Sequence, residues 1–280
     1  MPIEDYQVFE FELSEGEYPN YPGERRKEVF HRGTPGDPGV LIMHELPGLA
    51  PQTFELGDRI AQAGYNVFIP VLFGKPLNGR SPELHLLASL PSLWCVRREF
   101  LFLAENVQRP VTDWLRALCG EIHDRCGGPG VGAIGMCLTG GFAISLMVDE
   151  AMLAAVASEP SLPLHQFTFD SASREAKKAE LGVAPDELDG ARKRAAAGKA
   201  KLLGLCFEGD DKCTPKRFET LRREFGQNLD PFVIPMSVYQ QHGIRPKAHS
   251  VLTYDFCDKD GHPTKEALDK VLALLKHQLK

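Results

Sequence analysis

Short apolar runs recur along the chain, and most are followed by a segment whose apolar residues are spaced three to four apart. Continuous apolar runs bounded by turn residues are typical of strands buried on both faces of a parallel sheet. Looser alternation near the start of the chain indicates an edge hairpin. We predict the hairpin over 6–13 and 29–31, and buried strands over 40–43, 66–70, 131–134, 153–157, 202–207 and 232–234.

Helical spacing fills the intervals between these strands. The clearest helices are predicted over 100–119, with Pro110 as a kink or division, and over 142–147, 215–225 and 264–280. Strands that alternate with helices predict the α/β class, with a mainly parallel central sheet and helices on both faces. We expect a single domain over 1–280. Residues 163–200 are charged and rich in alanine, and they predict a helical insertion on the surface.

Composition excludes several classes of protein. The chain has 280 residues and a net charge of −6, which gives no reason to expect a nucleic acid or an anionic membrane as partner. No apolar run is long enough to span a membrane, and the N-terminus has no secretion signal. Seven cysteines without a disulfide framework or paired C-x-x-C spacing favour a reducing, cytoplasmic location. We expect no metal and no cofactor, and the oligomeric state stays open.

A strand, a cysteine and a helix follow one another within residues 131–147. The apolar run stops at Gly135, Cys137 follows two residues later, and helical spacing resumes soon after. This order is typical of a nucleophile elbow, in which small neighbours let strand and helix pass closely. The elbow would hold the sulfur at a helix N-terminus, which favours a thiolate. Thr139 occupies the position of the second glycine in the motif, so the motif alone also fits a buried, inert cysteine.

Candidate chemical groups follow several of the predicted strands. Glu45 follows the first buried strand, Cys137 the elbow strand, and Asp211 or Asp210 the strand 202–207; His249 lies in the last loop. Functional groups of open α/β sheets lie at the carboxyl ends of the strands. The chain order of nucleophile, acid and histidine is the order used by α/β-hydrolases.

Each member of this set has a distinct chemical role. Cys137 would attack a carbonyl carbon as a thiolate, His249 would take the thiol proton and return it to the leaving alkoxide, and Asp211 would fix the imidazole tautomer. The oxyanion would bind the backbone N–H of Leu138 and one from the loop after the first buried strand, for which Leu46 is the candidate.

Two assignments have competitors. The spacing Gly-x-Asp-x-x-x-Pro favours Asp211 over its neighbour Asp210, which would then serve as a helix cap or face solvent. His242 lies seven residues before His249 and competes with it as the base; its alternative role is that of a surface loop histidine.

Five motifs follow one another along the chain, at 40–48, 66–73, 135–141, 209–215 and 248–250. In this order they resemble the dienelactone hydrolase family. The resemblance implies an α/β-hydrolase fold and a carboxylic-ester hydrolase with a Cys-Asp-His triad and no cofactor. It maps the triad onto Cys137, Asp211 and His249, and it gives Glu45 contact with the resting cysteine and control of its ionisation.

The substrate-binding positions of that family differ in this chain. Two arginines hold the substrate carboxylate in the founding enzymes. The first position falls near Lys75, which keeps the positive charge without the planar fork, and the second falls on 251–253, where no basic residue is present. We therefore expect a small ester or lactone substrate, with Lys75 as a candidate contact or a solvated lysine. The alternatives are a thioesterase or acyltransferase on the same triad, and a silent scaffold that binds a small molecule or a protein.

Overall fold

The computed structural model describes residues 2–74 and 109–280. The sequence over 71–99 predicts a loop and a short helix over the sheet edge. Most of that segment, with Lys75, and the first part of the predicted helix over 100–119 lie outside the described residues.

Within those ranges the chain forms one eight-stranded sheet. The strands are β1 Gln7–Glu12, β2 Arg26–Arg32, β3 Gly39–Met43, β4 Asn66–Pro70, β5 Val131–Met136, β6 Met152–Ser158, β7 Lys201–Phe207 and β8 Leu229–Ile234. They are arranged in the order β1-β2-β4-β3-β5-β6-β7-β8. The pairs β1–β2 and β2–β4 are antiparallel, and every other neighbouring pair is parallel. The predicted hairpin, the buried strands and the mainly parallel sheet are thus confirmed.

Helices connect the strands and cover both faces of the sheet. The α-helices of the described residues are α1 Pro51–Gln62, α2 Pro110–Cys126, α3 Gly140–Leu146, α4 Ser171–Lys177, α5 Pro185–Ala196, α6 Pro215–Phe225, α7 Tyr239–His242 and α8 Pro263–Leu279. One face packs apolar residues of α1 and α8 against the sheet, and the other packs α2, α3, α5 and α6. This is the three-layer α/β arrangement that the alternating pattern predicts.

Helix α2 ends later than predicted. Pro110 begins the helix, where its missing N–H costs nothing, and the predicted helical residues before 109 lie outside the described residues. The helix then continues to Cys126, and its apolar face, which includes Trp114 and Leu118, is fully buried.

The predicted insertion over 163–200 contains α4 and α5, but it is not confined to the surface. Ala191 and Ala195 of α5 are buried against Ile144 and Met147, at and just after the end of α3. Alanine allows this close packing of helices. Charged residues such as Arg192 and Lys193 face outward, whereas Lys177 and Glu187 of the same segment are buried. The segment therefore packs against α3, the helix that follows Cys137.

Candidate active site

Cys137 stands at the sharp turn between β5 and α3. The strand ends, a 3-10 turn spans Cys137–Thr139, and α3 begins directly after it. Cys137 has a φ of 53°, a left-handed conformation that costs a non-glycine residue roughly 1–3 kcal/mol. A Cβ on Gly135 would overlap the carbonyl oxygen of Thr139, so the turn requires glycine there. The geometry is that of an elbow, and it holds Cys137 at the carboxyl end of β5.

Thr139 replaces the second glycine of the elbow motif because its side chain is part of the turn. Its hydroxyl accepts a hydrogen bond from the N–H of Met136 at 2.8 Å and donates to the carbonyl of Met43 at 2.9 Å. The position that needs a glycine is the next residue, Gly140, because a Cβ there would lie 2.8 Å from the Cα of Pro160. The irregular motif thus forms the elbow geometry with a threonine in place of the second glycine.

The carboxylate that contacts His249 belongs to Asp210. Nδ1 of His249 donates to Oδ2 of Asp210 at 2.6 Å, and the two side chains are only 7% and 1% exposed. The other oxygen of Asp210 accepts the N–H of Lys212 at 2.8 Å. The expectation that Asp211 contacts the histidine is therefore wrong, and the carboxylate in contact with His249 is that of its neighbour, Asp210.

Asp211 points away from the histidine into solvent. Its side chain is 53% exposed, and its oxygens lie 3.4 Å from Nζ of Lys247 and 3.8 Å from Nζ of Lys212. The cause is the turn after β7, in which the N–H of Asp210 binds the carbonyl of Phe207 at 3.2 Å. Successive side chains then point in different directions, and the first of the two aspartates faces inward.

Glu45 follows β3 and is buried beneath the loop that carries the histidine. One carboxylate oxygen accepts the hydroxyl of Ser250 at 2.7 Å, and the other accepts the hydroxyl of Thr253. Burial raises the pKa of Glu45, although the positive charge of His249 and the two hydroxyls oppose this effect. The glutamate therefore joins the end of β3 to the histidine loop.

Glu45, Cys137 and His249 converge at one point. A carboxylate oxygen, the sulfur and a ring nitrogen from these residues all lie within 4.8 Å of one another. Because Asp210 occupies Nδ1 of His249, Nε2 is the nitrogen left to face the sulfur, and it has no hydrogen-bond partner of ordinary geometry among the described residues. Burial lowers the pKa of His249, but a Cys137 thiolate and Asp210 outweigh burial and raise that pKa well above its usual value.

Ser161 contacts the sulfur, and no sequence pattern singled it out. Its hydroxyl lies 3.2 Å from Sγ of Cys137, and its N–H donates to the carbonyl of Cys137 at 3.0 Å. The residue is fully buried and follows β6 by three positions. Its place after a strand that neighbours β5 is the one signal that could have found it.

Glu159 is a second buried carboxyl that sequence reasoning missed. It follows β6 with a φ of 36°, and one of its oxygens accepts the hydroxyl of Ser158 at 2.5 Å and the N–H of Val251 at 3.3 Å. The other oxygen has no hydrogen-bond partner among the described residues. Burial and the charge of Glu45 raise the pKa of Glu159 well above its usual value. The Glu159 carboxyl therefore contacts the histidine loop from the side of β6.

An ion pair fixes the backbone of the histidine loop. Asp255 accepts the N–H groups of His249 and Ser250 at 2.8 and 3.1 Å. Arg245 binds the same carboxylate through two nitrogens, at 2.6 and 2.9 Å. Burial alone raises the pKa of Asp255, but Arg245 and the two N–H groups outweigh it and lower the pKa. The loop is thus held from Asp255, Glu45 and Glu159.

The two residues proposed for oxyanion binding lie on neighbouring strand ends. Met43 of β3 pairs with Gly135 of β5 in the parallel ladder, and Leu46 and Leu138 each follow those positions by three residues. The sheet therefore brings their backbone groups to the same edge, on the side of Cys137.

The remaining candidates do not join the described site. His242 ends α7, where its carbonyl lies 3.3 Å from Nε2 of His262 and the two rings are 5.2 Å apart. His249, and not His242, is the histidine placed beside Cys137. Lys75 lies outside the described residues.

A buried arginine ties the segments around the site together. Arg217 of α6 is 0% exposed, and its guanidinium donates only to backbone carbonyls. The five acceptors lie after β6, in the insertion and in the loop of Asp210: Pro160, Pro163, Lys177, Glu180 and Lys212. The arrangement fixes the insertion against the loops that carry the acid and Ser161.

A mostly parallel sheet with a thiol at an elbow, followed along the chain by an acid and a histidine that contact each other, defines an α/β-hydrolase. The dienelactone hydrolase family matches residues 29–277, and the chain belongs to that family. It is therefore a hydrolase that acts on ester or lactone bonds. No curated protein sequence matches the chain.

Solved structures share the fold at low sequence identity. A putative dienelactone hydrolase from Klebsiella pneumoniae is 16% identical, covers 96% of this chain and 99% of its own, and has a TM-score of 0.58. The dienelactone hydrolase-like promiscuous phosphotriesterase P91 from metagenomic libraries is 14% identical. The match covers 99% of this chain and 100% of that one, with a TM-score of 0.54. The Pyrococcus furiosus esterase Pf2001 is 13% identical. The match covers 98% of this chain and 93% of that one, and the TM-score is also 0.54.

None of the helices within residues 2–74 and 109–280 is both long and apolar enough to cross a membrane.

Proposed function

We propose that the chain hydrolyses small esters or lactones through an acyl-cysteine intermediate, with Cys137, His249 and Asp210 as the triad. The observation that carries the proposal is the buried hydrogen bond from His249 to Asp210, together with a ring nitrogen of His249 within 4.8 Å of the sulfur of a cysteine held in a left-handed turn. A buried imidazole whose tautomer is fixed by a carboxylate is the usual activator of such a nucleophile.

In the first half-reaction the sulfur of Cys137 attacks the carbonyl carbon. His249 takes the thiol proton at Nε2, because Asp210 holds the proton on Nδ1. The oxyanion binds the N–H groups proposed for Leu138 and Leu46. The carbon–oxygen bond then breaks, and His249 returns the proton to the leaving alkoxide.

In the second half-reaction water attacks the acyl-cysteine. His249 now takes a proton from water at the same nitrogen, and the tetrahedral intermediate uses the same N–H groups. Its collapse breaks the carbon–sulfur bond, the free acid leaves, and the proton returns to the sulfur of Cys137. The roles of Glu45 in cysteine ionisation and of Lys75 in binding a substrate carboxylate remain proposals carried over from the family resemblance.

The proposal is tested with a panel of aryl acetates, short thioesters, and lactones with and without a carboxylate. Wild type is compared with Cys137→Ala and with a matched control, Cys257→Ala, which removes a half-buried cysteine. We expect hydrolysis by wild type and by the control, and none above background by Cys137→Ala. Equal activity of Cys137→Ala would contradict the assignment. A preference for thioesters, or acyl transfer to an acceptor other than water, would indicate the thioesterase or acyltransferase alternative. A wild-type protein that hydrolyses no substrate of the panel and whose Cys137 is unreactive would indicate the silent scaffold.

Two further proposals concern the whole chain. We propose that residues 1–280 form a single domain with a helical insertion over 163–200, which the one continuous sheet supports. We also propose a cytoplasmic location, supported by the free thiols of the cysteines within the described residues.

A further inference from the structure

Three side chains at the site are of the types that bind zinc. A thiolate, an imidazole nitrogen and a carboxylate oxygen are the donors that Zn²⁺ takes in proteins, and three protein ligands with one open position are typical of accessible zinc sites. The corresponding atoms of Cys137, His249 and Glu45 lie within 4.8 Å of one another.

The neighbours of these three residues hold them as zinc ligands are usually held. A histidine that binds zinc commonly donates its other ring N–H to a carboxylate, which fixes the tautomer and raises the basicity of the ligating nitrogen. Nδ1 of His249 makes this contact with Asp210, and Nε2 is buried without a hydrogen-bond partner of ordinary geometry among the described residues. The carboxylate of Glu45 is oriented by the hydroxyls of Ser250 and Thr253.

Distances and charges also suit a divalent cation. Zinc bonds of about 2.0–2.3 Å place tetrahedral ligand atoms roughly 3.3–3.8 Å apart, so the three side chains need to close by about an ångström. A thiolate and a carboxylate together neutralise a charge of two. Buried charges are stable only when they are paired or bind a metal. All three residues are buried, and Cys137 is 5% exposed.

We propose that Zn²⁺ binds reversibly across Glu45, Cys137 and His249 and inhibits the enzyme. Binding displaces the thiol proton to solvent, and the sulfur's lone pair is then shared with the metal and cannot attack a carbonyl carbon. The inhibition rests on the proposed function, whereas the binding site does not.

The first experiment is calorimetric titration of the chelator-treated full chain with zinc chloride. We expect about one ion per chain. Affinity should fall at least 100-fold in Cys137→Ser and in His249→Ala, and 10–100-fold in Asp210→Asn, as for other carboxylates that support a zinc-bound histidine. Glu45→Gln, which keeps the shape of the side chain, should lower the affinity for zinc at least 10-fold. The matched controls Asp211→Asn and Cys257→Ser should bind as wild type does.

The second experiment measures alkylation of Cys137 by iodoacetamide, which needs no substrate. Zinc should protect Cys137 at least 10-fold, a chelator should restore the rate, and Mg²⁺ should give no protection because it prefers oxygen ligands. Zinc should also abolish ester hydrolysis reversibly.

Each contrary outcome overturns the site or the inhibition. Binding by Cys137→Ser at wild-type affinity, or full affinity in Glu45→Gln, would overturn the three-residue site. Protection without loss of hydrolysis would overturn the inhibition. If no ester is hydrolysed at all, the proposed function fails, but the calorimetry and the alkylation rates still decide the metal site.

Discussion

Replacing either of the two adjacent aspartates with asparagine tests the geometry of the site directly. In the wild-type structure, Nδ1 of His249 lies 2.6 Å from Oδ2 of Asp210. Asp210→Asn removes the charge that supports the imidazolium and places an amide against that nitrogen. Asp211→Asn changes a side chain that is 53% exposed and lies 3.4 Å from Lys247. Size, shape and position in the chain are otherwise matched, so each variant controls for the other.

The expected effects differ by orders of magnitude. Loss of the buried carboxylate from a triad lowers turnover by about 10⁴ in the serine-protease template, so we expect a fall of roughly 10³–10⁴ in kcat for Asp210→Asn. This corresponds to about 4–5.5 kcal/mol of lost transition-state stabilisation. Surface ion pairs contribute about 0–1 kcal/mol, so Asp211→Asn should change kcat by less than about fivefold.

The assay is the pH dependence of kcat and kcat/KM on an aryl ester, with circular dichroism to verify that both variants are folded. Asp210→Asn should show the full loss near neutral pH. If Asp211→Asn loses as much activity as Asp210→Asn, or loses more, the position of the acid in this structure does not describe the working enzyme.

Three further changes have defined outcomes. Ser161→Ala should slow iodoacetamide alkylation of Cys137 about tenfold near neutral pH, because the sulfur loses a hydrogen bond worth about 1.5 kcal/mol, and an unchanged rate would deny the contact a role. Arg217→Met should lower the free energy of unfolding in urea by about 3–5 kcal/mol, since five backbone carbonyls, three of them in buried contacts, lose their donor; a loss below about 1 kcal/mol would refute this. Asp255→Asn should destabilise the protein at pH 7 by about 1–3 kcal/mol, because Arg245 and two N–H groups lower the pKa of that carboxyl in the folded state. Its stabilisation is present above the unfolded pKa of about 3.9 and disappears as pH falls through the folded pKa, so the gap between wild type and variant should close in acid; a gap that persists there would contradict the linkage.

The order and type of the elements could be predicted because hydrophobic pattern and turn residues agree along most of the chain. Strand ends were less certain, as for β5, which continues beyond Gly135 to Met136. The pattern could not show that Pro110 begins a helix, because the same residue can also kink one. Nor could it show that Ala191 and Ala195 are buried, since alanine suits both a surface helix and a tight contact.

The site was predictable where residues follow strands and unpredictable where a single turn decides the direction of a side chain. Cys137 and Glu45 meet as their strand ends suggest, and His249 of the last loop joins them. The choice between Asp210 and Asp211 depends on one backbone hydrogen bond after β7, which spacing alone does not encode.

Ser161 and Glu159 escaped prediction for a related reason. Both follow β6, which had no motif to mark it, and each acts through contacts across the sheet that only the strand order reveals. Thr139 departs from the elbow motif, and the structure explains this departure because its hydroxyl forms hydrogen bonds with the backbone of Met136 and Met43.

The central claim, an acyl group carried by Cys137, is tested most directly by intact-protein mass spectrometry after brief mixing with an activated ester and acid quench. The account predicts a mass increase equal to one acyl group, located on Cys137 by peptide mapping, accumulating in wild type and absent in Cys137→Ala. Turnover of the ester with no acylated protein at any time, or an acyl group on another residue with activity retained in Cys137→Ala, would contradict it.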